Sequence, residues 1–180
     1  MTSLENICSN KPNLYLVGFM GTGKSAVGRR VAEKLGFHFI DVDQAIEEEE
    51  GLSVTQLFAQ GGEEAFRELE RNFIESGHPD SNCVVSCGGG LSVPDGMPEL
   101  LKKKGVAVCL WATPEVIYER TKGNSTRPLL NVIDPLSSIR KLLEQREPRY
   151  RATTGNFVST VGRGLAAVTD AVLRVYQSQS

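Results

Sequence analysis

Apolar residues recur along the chain in two rhythms. Short, mostly apolar runs occur at Leu14-Tyr15-Leu16-Val17, Phe37-His38-Phe39-Ile40, Cys83-Val84-Val85-Ser86, Val106 to Trp111 and Phe157-Val158-Ser159. Runs of this length without strict alternation predict strands buried on both faces. Between them, apolar positions fall at helical spacing. Residues 24–35 carry Val27, Val31 and Leu35 on one face and stop at Gly36, and residues 63–76 carry Phe66, Leu69 and Phe73. Two short helices are expected at 43–50 and 53–60, split by Gly51, the second opened by a Ser53/Gln56 capping box. Further helices are expected at 97–103, from Pro114 onward, at 136–147 and at 165–176. Residues 122–134 are polar, include Gly123, Asn124 and Pro128, and read as a mobile loop. Strands alternating with helices predict an α/β fold, with a parallel five-stranded sheet and helices on both faces. Ligands in such folds sit at the carboxyl ends of the strands.

Length and composition narrow the classes. The 180 residues suit one domain, 13–180, preceded by a polar leader, 1–12, that lacks the apolar stretch of a signal peptide. No run approaches the ~20 apolar residues that a membrane crossing needs. A cytoplasmic protein without membrane or nucleic-acid partners is expected, and a monomer. The four cysteines, Cys8, Cys83, Cys87 and Cys109, form no C-x-x-C pair and read as structural thiols in a reducing compartment. Net charge is only −2, but residues 1–90 hold 7 basic and 14 acidic side chains while 91–180 hold 13 and 8. The second half could supply cations to an anionic ligand, or both halves could be ordinary solvated faces.

The chemistry concentrates in four places. Gly18-Phe19-Met20-Gly21-Thr22-Gly23-Lys24-Ser25 fits G-x-x-x-x-G-K-[ST], with a strand before it and a helix after it, as phosphate binding requires. Glycines let backbone N–H groups close on phosphates, and the helix start adds partial positive charge. The D-x-x-G and N-K-x-D signatures of a GTPase do not follow it. Asp41-Val42-Asp43, taken as the end of an extended segment, is expected to point its two carboxylates in opposite directions, one toward a metal and one toward an acceptor hydroxyl. Asp43 as a helix cap is the alternative. Arg67 and Glu70, three apart, share a helix face and are either a solvated pair or an orienting pair in a pocket. Gly88-Gly89-Gly90 directly after a strand allows close backbone approach, or is a plain loop.

Taken together, the phosphate-loop motif, Phe39-Ile40-Asp41-Val42-Asp43, Phe66-Arg67-x-x-Glu70, Ser86-x-Gly88-Gly89-Gly90, Arg127-Pro128-Leu129-Leu130 and Gln145-Arg146-Glu147-Pro148-x-Tyr150 resemble the motifs of shikimate kinases in order and rough spacing. The resemblance covers about Asn13 to Tyr150. It implies a three-layer P-loop kinase fold with a small acceptor-binding helical insert, about 43–76, and a lid, about 122–134. It implies transfer of the γ-phosphoryl of ATP to the 3-hydroxyl of shikimate with Mg²⁺, a step of chorismate and aromatic amino acid biosynthesis. Gly21, Thr22, Gly23, Lys24, Ser25 and Ala26 would hold ATP phosphates, and Ser25 would bind Mg²⁺ with Asp41 behind it. Asp43 would contact the acceptor hydroxyl, and Arg67, Arg146 and Gly88 to Gly90 would hold the acceptor. Glu70 would brace Arg67, and Phe58 and Phe66 would pack on its ring. Arg127 would close onto the transferring phosphate, and Arg120 would lie near adenine. The family usually has an Arg with a nearby Pro after the fifth strand. Here the segment reads Thr160-Val161-Gly162-Arg163-Gly164, and Arg163 is the nearest candidate. The alternatives are a gluconate-like or nucleoside-monophosphate-like kinase, or a noncatalytic nucleotide-binding domain.

Overall fold

The computed structural model describes residues 10–123 and 133–180. Among them, five strands form one parallel sheet: β1 (Asn13–Val17), β2 (His38–Asp41), β3 (Cys83–Ser86), β4 (Gly105–Trp111) and β5 (Phe157–Ser159). Their order across the sheet is β2-β3-β1-β4-β5. β1 sits at the centre and is buried along its whole length. That explains its unbroken apolar run, since both faces of a parallel sheet are covered.

Successive side chains of a strand face opposite layers. Tyr15, Val17, Val85 and Cys109 join one core cluster, while Leu14, Leu16, Val84 and Val108 join the other. The second layer is closed by α1 (Lys24–Leu35) and α7 (Leu165–Gln177), through Val27, Val31, Val168 and Val172. The first is closed by α3 (Val54–Ser76), α4 (Met97–Lys104), α5 (Pro114–Thr121) and α6 (Pro135–Thr153), through Phe66, Leu101, Ile117 and Leu143. Cys83, Cys87 and Cys109 are buried and free, and burial pushes the Cys109 thiol up to about 12. They pack as small hydrophobes, as expected. Cys8 lies outside the described residues.

Three expectations are corrected. First, α2 (Val42–Glu50) begins immediately after β2, so Asp43 lies in its first turn and not on an extended segment. Residues two apart on a strand would share a face. The two carboxylates reach different neighbours because the chain turns into a helix between them. Second, 53–60 and 63–76 run together as α3, with a kink at Gly62 (φ 74°, ψ −175°) where a break was expected. The Ser53/Gln56 capping box is present, with Ser53 N–H donating to Gln56 Oε1 at 2.9 Å. Third, α6 continues past 147 and through Pro148 to Thr153. A proline inside a helix removes one backbone bond. Here the helix is held beyond it by Tyr150 and Thr153, both fully buried.

Candidate active site

β1 delivers the chain to Gly18, whose φ is +131°; a Cβ there would stand 2.3 Å from the Leu110 carbonyl oxygen. Only glycine fits both the backbone angle and this close approach. The loop then turns into α1 with Gly23 as N-cap, without a side-chain cap and without an acidic residue in the first turn. Those amides and the positive end of the helix are suited to an anion. The loop is braced internally: Thr22 Oγ1 donates to the Phe19 carbonyl at 2.8 Å, and Lys24 Nζ donates to Gly18 and Phe19 carbonyls at 2.8 and 2.9 Å. Arg120 braces it from outside, donating to the Gly21 carbonyl at 3.2 Å and to Thr160 Oγ1 and O at 2.9 Å each.

Beside the loop, Ser25 Oγ donates to Asp41 Oδ2 at 2.7 Å and lies 3.4 Å from Ser86 Oγ. Two hydroxyls and a carboxylate are hard oxygen groups of the kind Mg²⁺ prefers, and that ion takes few protein ligands. Among the described residues, no group of three or more His, Cys, Asp or Glu could hold a metal. A dedicated protein cage is therefore not built here, whereas a phosphate-assisted site fits.

A second cluster faces the glycine run after β3. Arg67 Nη1 donates to Glu70 Oε2 at 2.6 Å, and its Nη2 pairs with Glu63 at 2.9 Å. Glu70 is only 1% exposed, and its Oε1 has no hydrogen-bond partner among the described residues. Burial pushes the Glu70 carboxyl up to about 7 against the pull of Arg67. Burial likewise raises Asp43 above the ordinary carboxylate range, helped by Asp41 and opposed by Lys24 and Arg67. Burial disfavours charge on Arg67, but Glu70 and Glu63 together hold its guanidinium above its usual value.

The glycines explain how these groups fit. None of Gly88, Gly89 or Gly90 has positive φ. Close approach is what they permit. A Cβ on Gly88 would stand 2.8 Å from both Asp43 Oδ1 and Glu70 Oε1, and one on Gly90 would stand 2.2 Å from Arg67 Nη2. A Cβ on Gly89 would stand 3.2 Å from Met20 N and 3.8 Å from Arg146 Nη1, so this loop bridges the phosphate loop and the arginines. The Gly89 carbonyl accepts from Arg146 Nη1 at 3.3 Å and from the Tyr150 hydroxyl at 2.6 Å. Phe58 and Phe66 pack with ring centroids 4.8 Å apart, and the Arg146 guanidinium lies 5.5 Å from the Phe19 ring centroid.

Most of the residues singled out from the sequence thus converge at the carboxyl ends of β1, β2 and β3. Asp43 is not the N-cap of α2; Asp41 holds that position. Ala26 is exposed on the first turn of α1. Arg163 does not join the cluster: it donates to the Ser159 carbonyl at 3.3 Å and the Ala167 carbonyl at 3.1 Å. Arg127 and most of the expected lid lie outside the described residues. Ser86, Tyr150 and Thr160 were not singled out. All three stood inside the quoted segments, so their positions were available although their contacts were not. A cavity of about 530 Å³ lies at the opposite end of the sheet, against Gly105, Thr154 and Asn156.

The shikimate kinase family model matches residues 20–177. The chain belongs to the shikimate kinase family. Members of that family are ATP-dependent kinases, and the readings as a gluconate-like or nucleoside-monophosphate-like kinase fall away. A shikimate kinase of Thermodesulfovibrio yellowstonii is 40% identical over 169 residues, covering 93% of this chain and 96% of the relative. One of Persephonella marina is 42% identical over 161 residues, covering 89% and 96%. Among solved structures, shikimate kinase from Acinetobacter baumannii in complex with shikimate superposes with a TM-score of 0.88 at 34% identity, covering 93% of this chain and 94% of that one. The P-loop kinase fold expected for the shikimate kinase family is the fold observed. Among the described residues, no helix is long and apolar enough to cross a membrane.

Proposed function

We propose that this shikimate kinase family chain transfers the γ-phosphoryl of ATP to the 3-hydroxyl of shikimate, with the two clusters above as donor and acceptor subsites. The observation that carries the reading is the position of Asp43. Its carboxylate lies against Gly88 and feels the charges of both Lys24 and Arg67, so it stands between the phosphate loop and the acceptor groups.

The donor subsite comprises Gly21 to Ala26. To meet ATP, Lys24 exchanges the two loop carbonyls it now holds for phosphate oxygens, which bear the charge that grows during transfer. Arg120 serves this subsite through its bond to Gly21, and Arg163 serves it at most by fixing the segment after β5. Ser25 and Asp41 would hold Mg²⁺, which when bound neutralises charge on the β- and γ-phosphates. In the acceptor subsite, Arg67 and Arg146 offer planar forks that suit a carboxylate. Glu70 keeps Arg67 aimed, and Phe58 and Phe66 give the ring an apolar wall. The Gly88–Gly90 backbone forms the floor. Asp43 accepts a hydrogen bond from the reacting hydroxyl and takes its proton as the phosphoryl arrives; burial, which raises its carboxyl, makes it a stronger base than an ordinary aspartate. Arg127, assigned from its motif, would neutralise the moving phosphoryl, with 122–134 as lid and 43–76 as acceptor insert. A cytoplasmic monomer completes the reading.

Asp43→Asn tests it. The amide is nearly isosteric but takes no proton and donates where the carboxylate accepted. ATP binding should persist by calorimetry, while turnover should fall roughly 10²-fold or more, the low end of general-base contributions. Turnover within a few-fold of wild type would remove Asp43 from the chemistry.

A further inference from the structure

We infer that Tyr150 is a positioning residue of the acceptor subsite, whose hydroxyl pins the glycine loop on which the acceptor-binding groups rest; this rests on the acceptor reading given above. Tyr150 is fully buried, and its hydroxyl donates to the Gly89 carbonyl at 2.6 Å. Arg146, four residues earlier on α6 and therefore on the same helix face, donates to that same oxygen at 3.3 Å. A carbonyl oxygen has two lone pairs and accepts both.

What hangs on that oxygen is more than one peptide. On one side of Gly89, Asp43 and Glu70 lie against Gly88; on the other, Arg67 lies against Gly90. The central carbonyl therefore sets the height of a floor touched by four charged groups. Tyr150 is the better anchor of the two donors. Its bond is shorter, its ring is locked by burial, and burial raises its pKa so that the hydroxyl keeps its proton. Arg146 shares that oxygen through one longer bond, which in the acceptor reading leaves its other N–H groups for the acceptor carboxylate. Without the hydroxyl, Arg146 becomes the sole side-chain partner of Gly89 O among the described residues, and the loop and the acceptor carboxylate compete for one guanidinium. The phosphate loop does not share this dependence, because Thr22 closes it on the Phe19 carbonyl and Arg120 holds its Gly21 carbonyl from outside.

The test is Tyr150→Phe, with Tyr176→Phe as its control. Tyr176 is also buried and also donates to a backbone carbonyl at 2.6 Å, that of Pro12, at the other end of the molecule. Steady-state kinetics should show the shikimate KM of Tyr150→Phe raised about 3- to 10-fold, the loss of one neutral hydrogen bond, with the ATP KM and kcat changed less than about 2-fold. Tyr176→Phe should change none of these constants, although it loses a bond of the same length. An unchanged shikimate KM, an equal rise for both substrates, or a Tyr150→Phe protein that does not fold would overturn the inference and leave the hydroxyl structural. Arg146→Lys separates the two levels, since Lys lacks the fork. If it raises the shikimate KM and Tyr150→Phe does not, only the role of Tyr150 fails. If neither variant raises it, the acceptor reading fails and takes this inference with it.

Discussion

Glu70 shows how much a single carboxylate depends on its surroundings. One of its oxygens holds Arg67 at 2.6 Å, and the other is buried without a partner among the described residues. Burial raises its carboxyl from 4.5 to about 7 in the folded protein. Across that interval the native state keeps a proton that the unfolded chain releases, so this residue makes stability fall as pH rises from about 4.5 to about 7. Glu70→Gln cannot titrate. Urea unfolding of both proteins should therefore show wild type losing stability relative to the variant as pH rises through that window. A difference independent of pH would mean that Glu70 remains charged in the native protein. The spacing of Arg67 and Glu70 made their pairing legible in the sequence. Their burial was not, because it depends on glycines that come after the next strand. Asp43 was misread in its local geometry: two residues apart on a strand it would have shared a face with Asp41, and the helix expected at 43–50 starts one residue earlier, at Val42.

At the scale of elements, the two glycine-rich loops follow strands but use their glycines differently. Gly18 needs its positive φ and meets a backbone carbonyl, which cannot move without disturbing β4. Gly90 has an ordinary backbone and meets only the far end of the Arg67 side chain. Gly18→Ala should therefore lower the unfolding free energy by about 1–3 kcal/mol or more, the usual size of stored backbone strain. Gly90→Ala should cost less stability than Gly18→Ala, because the end of a side chain can shift where a backbone carbonyl cannot, and should raise the shikimate KM well above wild type, because Arg67 must swing aside and loosen its pair with Glu70. The reverse pattern, a fold lost at Gly90 and tolerated at Gly18, would contradict this assignment. The positions of strands and helices were legible because buried strands write continuous apolar runs and amphipathic helices write a helical period. The extension of α6 was not, because Pro148 reads locally as a stop, while the anchors Tyr150 and Thr153 act through tertiary burial.

Across the whole molecule, the unequal charge of the two halves finds a use in the fold. The acidic first half supplies Asp41, Asp43 and Glu70, and the basic second half reaches across to it. Arg120 reaches Gly21, and Arg146 reaches Gly89. The sheet order makes this possible by placing β1 between β3 and β4, so that both halves meet at its carboxyl end. Phosphoryl transfer asks mainly for such positioning and charge neutralisation. The most direct measurement is ADP release in a coupled assay with Mg²⁺ and ATP, with and without shikimate, on wild type and Lys24→Ala. Wild type should release ADP quickly only when shikimate is present, and Lys24→Ala should lose roughly 10²-fold or more of that rate, as expected for removal of one preorganised donor. ADP release that shikimate does not stimulate, or that survives loss of Lys24, would contradict the account.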